Sequence, residues 1–327
     1  MYNFVKTRFD MFTETKIGLN YSDVYLIPNY STVRTRQNCH TAIKLGNHVF
    51  DLPVIPANMK TIVDVDTCKF LARHGMFYIM HRFNVNVVDF CKEMISNKLY
   101  TSISVGVSKE SRSDLTRLYT WNITPDYITL DIAHAHSINA LEMIDYIKKI
   151  FPKSFLIAGN VATAEGVKFL TKCGANAVKV GISNGAACTT KDATGFIIPQ
   201  FTSVLEASRK ASVPIIADGG IRTIGDISKA LVAGASMVMA GSLFAGYDEN
   251  PNFTKTDDGK CVYFGSASEE NKGEHSYVEG KQLLIDPKGS MVNLLDDISA
   301  GLKSAISYAG GRNLKAFNNV KWGIIHK

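Results

Sequence analysis

The residues best able to do chemistry in this chain stand in "VKVGISNGAACTT", residues 178–190. An apolar run gives way to small residues, then to one cysteine and two threonines. A structural cysteine belongs inside an apolar run, whereas Cys188 stands just beyond one. The thiolate is the nucleophilic form, and partial exposure near a cation such as Lys191 favours it. The bland alternative is a loop cysteine without a task; the position after an apolar run, among small residues, favours a nucleophile. Two glycine turns follow, "ADGGI" (217–221) and "MAGSLFAG" (239–246). Gly219, Gly220 and Gly241 allow backbone N–H groups to approach an anion, and the helix start behind each turn faces the same place. Asp218 is suited to accept hydrogen bonds from ribose hydroxyls. "DIAHAHS" (131–137) offers an acid and two histidines. No further cluster with ligand spacing accompanies them, so His134 and His136 are expected on a wall of the site rather than at a metal centre. "ANM" (57–59) and "MHRF" (80–83) bring Asn58, His81 and Arg82 to the same rim.

These residues need a scaffold, and the apolar pattern supplies one. Short β-branched runs occupy residues 53–59, 77–81, 101–107, 127–134, 155–161, 177–182, 214–220 and 236–242. Each is nearly continuous rather than alternating, the mark of a strand buried on both faces of a parallel sheet. Helical patterns lie between them, as at 86–98, 137–150 and 225–235, with Asp and Gly at the entries and exits where caps are expected. Eight strand–helix units predict an α/β fold, a TIM (β/α)8 barrel, whose typical length is ~250 residues. A doubly wound sheet is the rival, but no Gly-rich first turn supports it. Residues 183–213 and 246–290 break the rhythm and follow the sixth and eighth strands, on the catalytic face of such a barrel. The expected organisation is an N-terminal extension (1–20) and one catalytic barrel (21–327) with a flap at 246–290.

Composition bounds the function. The 327 residues are 46% hydrophobic and 20% charged, ordinary for a globular chain with a sizeable core. The net charge of +6 is spread out, and "TVRTRQNCH" is too short to read as a nucleic-acid arm. Mild basicity leaves phosphorylated small molecules open as substrates. Cys39, Cys68, Cys91, Cys173, Cys188 and Cys261 form no C-x-x-C pair, so free thiols in a reducing compartment are expected. There is no secretory h-region at the N-terminus and no apolar run of ~18 residues. The expectation is a cytoplasmic protein with no membrane or nucleic-acid partner.

In order and number, "PANM", "MHRF", "SISVGV", "DIAHAHS", "AGNV", the Cys188 loop, "PIIADGGIR", "GSLFAG", "YFGSAS" and "VEGK" resemble the IMP dehydrogenase/GMP reductase family. The resemblance runs from residue 21 to residue 314. It implies NADPH-dependent reductive deamination of GMP to IMP and ammonia. In that reaction Cys188 attacks purine C2 and forms a thioimidate, and Thr190 with Glu279 handles the proton of the leaving amine. It implies nucleotide contacts from Asn58, Asp218, Gly219, Gly220, Gly241, Ser242, Gly265, Ser268 and Gly280. Cofactor contacts fall on Arg82, Asp131, Ile132 and Ala133, with Thr35, Arg36, Tyr308 and Gly310 contributed across a homotetramer interface. A K+ ion is implied at backbone carbonyls of Ser183, Gly185 and Cys188. No CBS pair follows the second strand, and no arginine lies between Arg222 and Arg312 to serve a dehydrogenase flap, so the reductase branch is favoured. The alternatives are an IMP dehydrogenase-type enzyme without CBS domains and a non-catalytic nucleotide-binding barrel. The chain departs from the family at "GISNG", where Ser183 and Asn184 replace Gly and Pro, at Ala186, and at Ala135, which is expected to narrow the nicotinamide side. An altered path at Ser183 would loosen a cation's carbonyl cage.

Overall fold

The computed structural model describes residues 18–185, 187–265 and 281–325. Its centre is a parallel sheet of seven strands in the order Val54–Pro56, Met237–Ala240, Ile215–Asp218, Ala177–Val180, Phe155–Val161, Tyr127–Asp131 and Ser102–Val105. The second barrel position is the one correction to the expected strands. Residues 77–80 form no strand there; a single parallel bridge, Met80 to Ile103, attaches them to the edge. Met80 N–H donates to Ser102 O at 3.0 Å and Ser104 Oγ donates to Met80 O at 2.6 Å. The segment therefore still stands in the barrel wall, and Phe77 and Ile79 are wholly buried in its interior.

The continuous apolar runs have a simple cause. Alternate residues of each strand point to opposite faces, and here both faces are covered. Ile55, Ile157, Ala177, Ile216, Met237 and Met239 fill the barrel, whereas Val54, Leu156, Val178, Ile215 and Val238 pack outward in the larger core that holds the helices. Burying one such Ile side chain stabilises the fold by about 1.5–3 kcal/mol. A hairpin of Ile43–Leu45 and His48–Phe50 closes the barrel floor, where Phe50, Phe77, Tyr100 and Tyr127 pack as one aromatic group. Tyr127 OH donates to Leu45 O at 2.7 Å and lies 2.9 Å from His48 Nδ1, so its polar end is satisfied inside that floor.

The outer helices begin where short polar side chains cap them. Asp64, Asn86, Ser108, Ser137, Thr163 and Thr223 each accept a backbone N–H of the first turn. Such a cap is worth ~1 kcal/mol. Ser, Thr and Asn thus do much of the work expected of Asp, and Gly174 supplies a left-handed helix end. The stretch 183–213 holds two helices, Thr190–Thr194 and Gln200–Ser208. The stretch 246–290 holds an antiparallel hairpin of Cys261–Phe264 and Gln282–Ile285. Among the described residues no helix is long and apolar enough to cross a membrane.

Candidate active site

At the carboxyl ends of the strands the barrel interior turns from apolar to charged. Asp131, Lys179 and Asp218 each stand two residues beyond an inward position of their strand, Thr129, Ala177 and Ile216. Lys179 is buried, with Nζ 2.6 Å from Asp131 Oδ1 and 3.0 Å from Asp218 Oδ2. Burial alone would push the Asp131 carboxyl up, but the Lys179 charge and hydrogen bond outweigh it, helped by Asn58 and Arg82, and hold it below the ordinary range. Burial would lower the Lys179 ammonium, yet the two carboxylates overcome this and raise it, so it stays charged. Gly159 makes room: a Cβ there would stand 2.5 Å from the Lys179 Cβ.

Asn58 Nδ2 donates to Asp131 Oδ2 at 3.0 Å, which places Asn58 on the Asp131 side. Ile132 N–H donates to Gly159 O, and Asn160 N–H donates to Ile132 O, locking the fourth strand end to the fifth. Asn160 Nδ2 donates to Asp218 Oδ2 and to Gly181 O, both at 2.8 Å. Asn160 Oδ1 is buried and accepts from nothing among the described residues. Arg82 is exposed and lies over the Phe83 ring at 4.8 Å. His134 and His136 are exposed, and His136 packs on Phe169 with ring centres 4.8 Å apart. Ala135 turns the other way: it is fully buried in the outer core, so its methyl does not narrow the cleft.

The cysteine loop is tied to this charged layer through Gln200 and Gly220. Cys188 is half-buried, and its Sγ–H donates to Thr190 Oγ1 at 3.2 Å. Cys188 N–H closes a turn onto Gly185 O at 3.2 Å. Ser183 takes φ +65°, in the left-handed region. The loop therefore keeps a glycine-type backbone and accepts the strain of a side chain there, about 1–2 kcal/mol. Ser183 Oγ donates to Phe196 O at 3.1 Å. Asn184 Nδ2 lies within 3.0 Å of Ile182 O, 3.1 Å of Ile198 O and 2.7 Å of Gln200 Oε1. Gln200, fully buried, donates through Nε2 to Val180 O at 2.8 Å and Asp218 O at 3.1 Å. Gly181 must be glycine, since a Cβ would fall 1.9 Å from Asp218 O.

The glycine turns behave differently from a bare phosphate cradle. Gly219 and Gly220 have φ +97° and +78°. Their N–H groups donate to Met239 O at 3.2 Å and Asn184 O at 3.0 Å, so the turn seats the cysteine loop. At Gly241 a Cβ would lie 2.3 Å from Tyr263 OH, so this glycine admits the hairpin residue Tyr263. Ser242 opens a short 3-10 turn and its carbonyl accepts from Lys288 Nζ at 3.3 Å. The hairpin returns onto the loop, with Lys281 N–H donating to Ala187 O at 2.9 Å. Gly265 is buried at the hairpin's inner end. Ala186, Ser268, Glu279 and Gly280 lie outside the described residues.

The structure thus links Asn58, Asp131 and Asp218 through Lys179, and its Gly219–Gly220 turn seats the loop that carries Cys188 and Thr190. Thr35, Arg36, Tyr308 and Gly310 form a second group. Asn29 N–H donates to Tyr308 O, His40 N–H donates to Arg312 O, and Thr35 caps the turn Arg36–Asn38. Tyr308 is 66% exposed. Three residues escaped sequence reasoning: Lys179, Asn160 and Gln200. Lys179 carried a signal, a lone lysine inside the apolar run "AVKVGI"; a charge at an inward register must be paired.

Comparison with known proteins now adds to this geometry. The model of the IMP dehydrogenase / GMP reductase domain matches residues 18–324. A protein of Clostridium acetobutylicum named GMP reductase is 50% identical over 311 residues, covering 94% of this chain and 95% of its own. GMP reductases of Bacillus subtilis and Chromobacterium violaceum are 49% and 48% identical, each across 94% of this chain and 95% and 98% of theirs.

Proposed function

The chain belongs to the IMP dehydrogenase/GMP reductase family, and from that premise we propose that it reduces GMP to IMP and ammonia with NADPH, through a covalent bond from Cys188 to purine C2. The observation that carries the reading is the Cys188–Thr190 pair, 3.2 Å apart in the loop beyond the sixth strand, at the end of the barrel where Lys179 joins Asp131 and Asp218. Nucleophilic attack splits the exchange of amine for hydride into two easier steps. Cys188 Sγ bonds to C2 while the exocyclic amine leaves as ammonia. Thr190, with Glu279 from the segment beyond Gly265, delivers the proton that the amine requires. Asp218 has its Oδ2 occupied by Lys179 and Asn160, so Oδ1 is left for ribose hydroxyls. The phosphate is assigned to the rim between the Asp218–Gly220 turn and the Gly241–Ser242 turn, with Gly219 and Gly220 shaping the turn rather than donating to the anion, because their N–H groups already bond Met239 O and Asn184 O.

The donor set on the other side fits a nicotinamide nucleotide: Arg82 as cation, Asp131 as anion, and the orphaned buried acceptor Asn160 Oδ1 for an amide N–H. A bound NADPH would supply the hydride that C2 takes up, and Cys188 then leaves as thiolate as the C2–Sγ bond breaks to give IMP. Ile132 and Ala133 line that side, and Thr35, Arg36, Tyr308 and Gly310 serve it from a neighbouring copy in a homotetramer. Among the described residues no group of three His, Cys, Asp or Glu side chains could hold a metal. A bound K+ would rest, as the family resemblance implies, on backbone carbonyls of Ser183, Gly185 and Cys188, oxygens that suit a hard cation. The missing arginine between Arg222 and Arg312 supports a reductase over a dehydrogenase.

The test is the absorbance of NADPH on mixing with GMP. Turnover is expected from the wild type and absent from Cys188→Ala, which should still bind IMP in calorimetry. Comparable NADPH consumption by Cys188→Ala would overturn the covalent route, and no consumption by the wild type would overturn the activity.

A further inference from the structure

The proposed reaction uses Asp131 and Asp218 but assigns nothing to the cation between them. Lys179 Nζ touches one carboxylate from the fourth strand end and one from the seventh, with its side chain 2% exposed. The chain continues on both sides: Asn58 bonds the far oxygen of Asp131, and Asn160 bonds the same Asp218 oxygen as Lys179. Among the described residues, Met239 Sδ also lies 3.9 Å from Nζ. The charged and titratable groups that face this triad are Arg82 toward Asp131, and Tyr21 and Tyr263 toward Asp218, with Asp226 beyond Tyr21 and Cys188 beyond Tyr263. Carboxylates that share a site without a counter-ion cannot both stay ionised. Removing one partner from a buried ion group leaves an uncompensated charge.

We propose that Lys179 is a positioning residue that bridges the Asp131 and Asp218 carboxylates at a fixed separation, so that the two halves of the site take their geometry from one buried cation. This rests on the nucleotide and cofactor roles given above to the two acids. Lysine, not a neutral amide, is required, because only a charge offsets two carboxylates in so enclosed a place.

The test measures the Kd of IMP by calorimetry, without cofactor, as a ratio of variant to wild type. For Lys179→Met the ratio should be ~10 or more at about pH 8 and fall as the solution is acidified toward about pH 6, where the facing acids come to share a proton. In Lys179→Met/Asp131→Asn the repulsion is gone, and the ratio should return to within ~3 of one and lose its pH dependence. A loss that is the same at both pH values, and equal in the single and double variants, would mean that Lys179 only fills space, and would overturn the proposal. If Lys179→Met does not fold, the double variant decides: folded and IMP-binding supports the charge clamp, unfolded overturns it. The urea midpoint of the unliganded variants supplies a second readout, with a deficit for Lys179→Met that shrinks on acidification. Should the wild type bind no IMP, the functional reading fails by itself, and the urea series still tests the clamp.

Discussion

Gln200 lies outside the reacting atoms, yet it joins the sixth strand, the seventh strand and the cysteine loop. Replacement by Met keeps an unbranched chain of similar length and removes three hydrogen bonds. Asn184 Nδ2 keeps Ile182 O and Ile198 O, so the loss on that side is one ordinary bond. Val180 O and Asp218 O lose a buried donor outright. Taking ~0.5–1 kcal/mol for the first and about 1–1.5 kcal/mol for each of the others gives roughly 3 kcal/mol. For a chain of this length the unfolding entropy is roughly 0.7 kcal/mol/K, so the Tm should fall by about 4 °C. Calorimetry of Gln200→Met measures this directly. A cycle with Asn184→Ala should show a coupling of about 0.5–1 kcal/mol, as expected for groups in contact. Loosening the same loop should lower the rate of NADPH oxidation, because Cys188 loses its aim, and should also raise the KM for GMP, because Gln200 holds Asp218 as well. A Tm within about 1 °C of wild type would refute the argument that this buried amide fastens the loop.

His81 is buried, and burial, with the charge of Lys60, lowers its pKa to about 4. It is neutral in the folded state, with Nδ1 accepting the Phe83 N–H at 3.2 Å. Because the folded value lies below the unfolded one, its stability contribution is full above about pH 6.5 and is lost as the pH falls toward 4. About 3 kcal/mol is at stake, and His81→Gln should flatten that part of the urea midpoint against pH; parallel curves would remove His81 as the cause. Ser183 already holds φ +65°, so Ser183→Gly should leave the initial-rate curve against K+ superimposable on that of the wild type. A marked gain in K+ sensitivity would show that the side chain, not the backbone path, controls the loop.

Much of this protein could be read before any coordinates. Continuous apolar runs require strands covered on both faces, and eight of them separated by helical patterns leave few architectures. The positions of Cys188 and of the acids at 131 and 218 at strand ends were legible from the apolar runs, whereas Thr190 entered through the family resemblance. The same local rules failed at residues 77–80, where apolar content was right but only Met80 makes a ladder contact. Ladder bonds depend on how closely the neighbour approaches, which a run of residue types does not encode. Tertiary structure also decided the purpose of the glycines. Gly219 and Gly220 resemble an anion turn in sequence, but their N–H groups are used by Met239 and Asn184, residues 20 and 36 positions away in the chain. The deepest difference concerns Lys179. Sequence places a lysine in an apolar run; only the register of three strands shows that it meets two carboxylates 48 and 39 residues distant. A buried charge is tolerable only where its partners converge, and convergence is a property of the curled parallel sheet rather than of any segment within it.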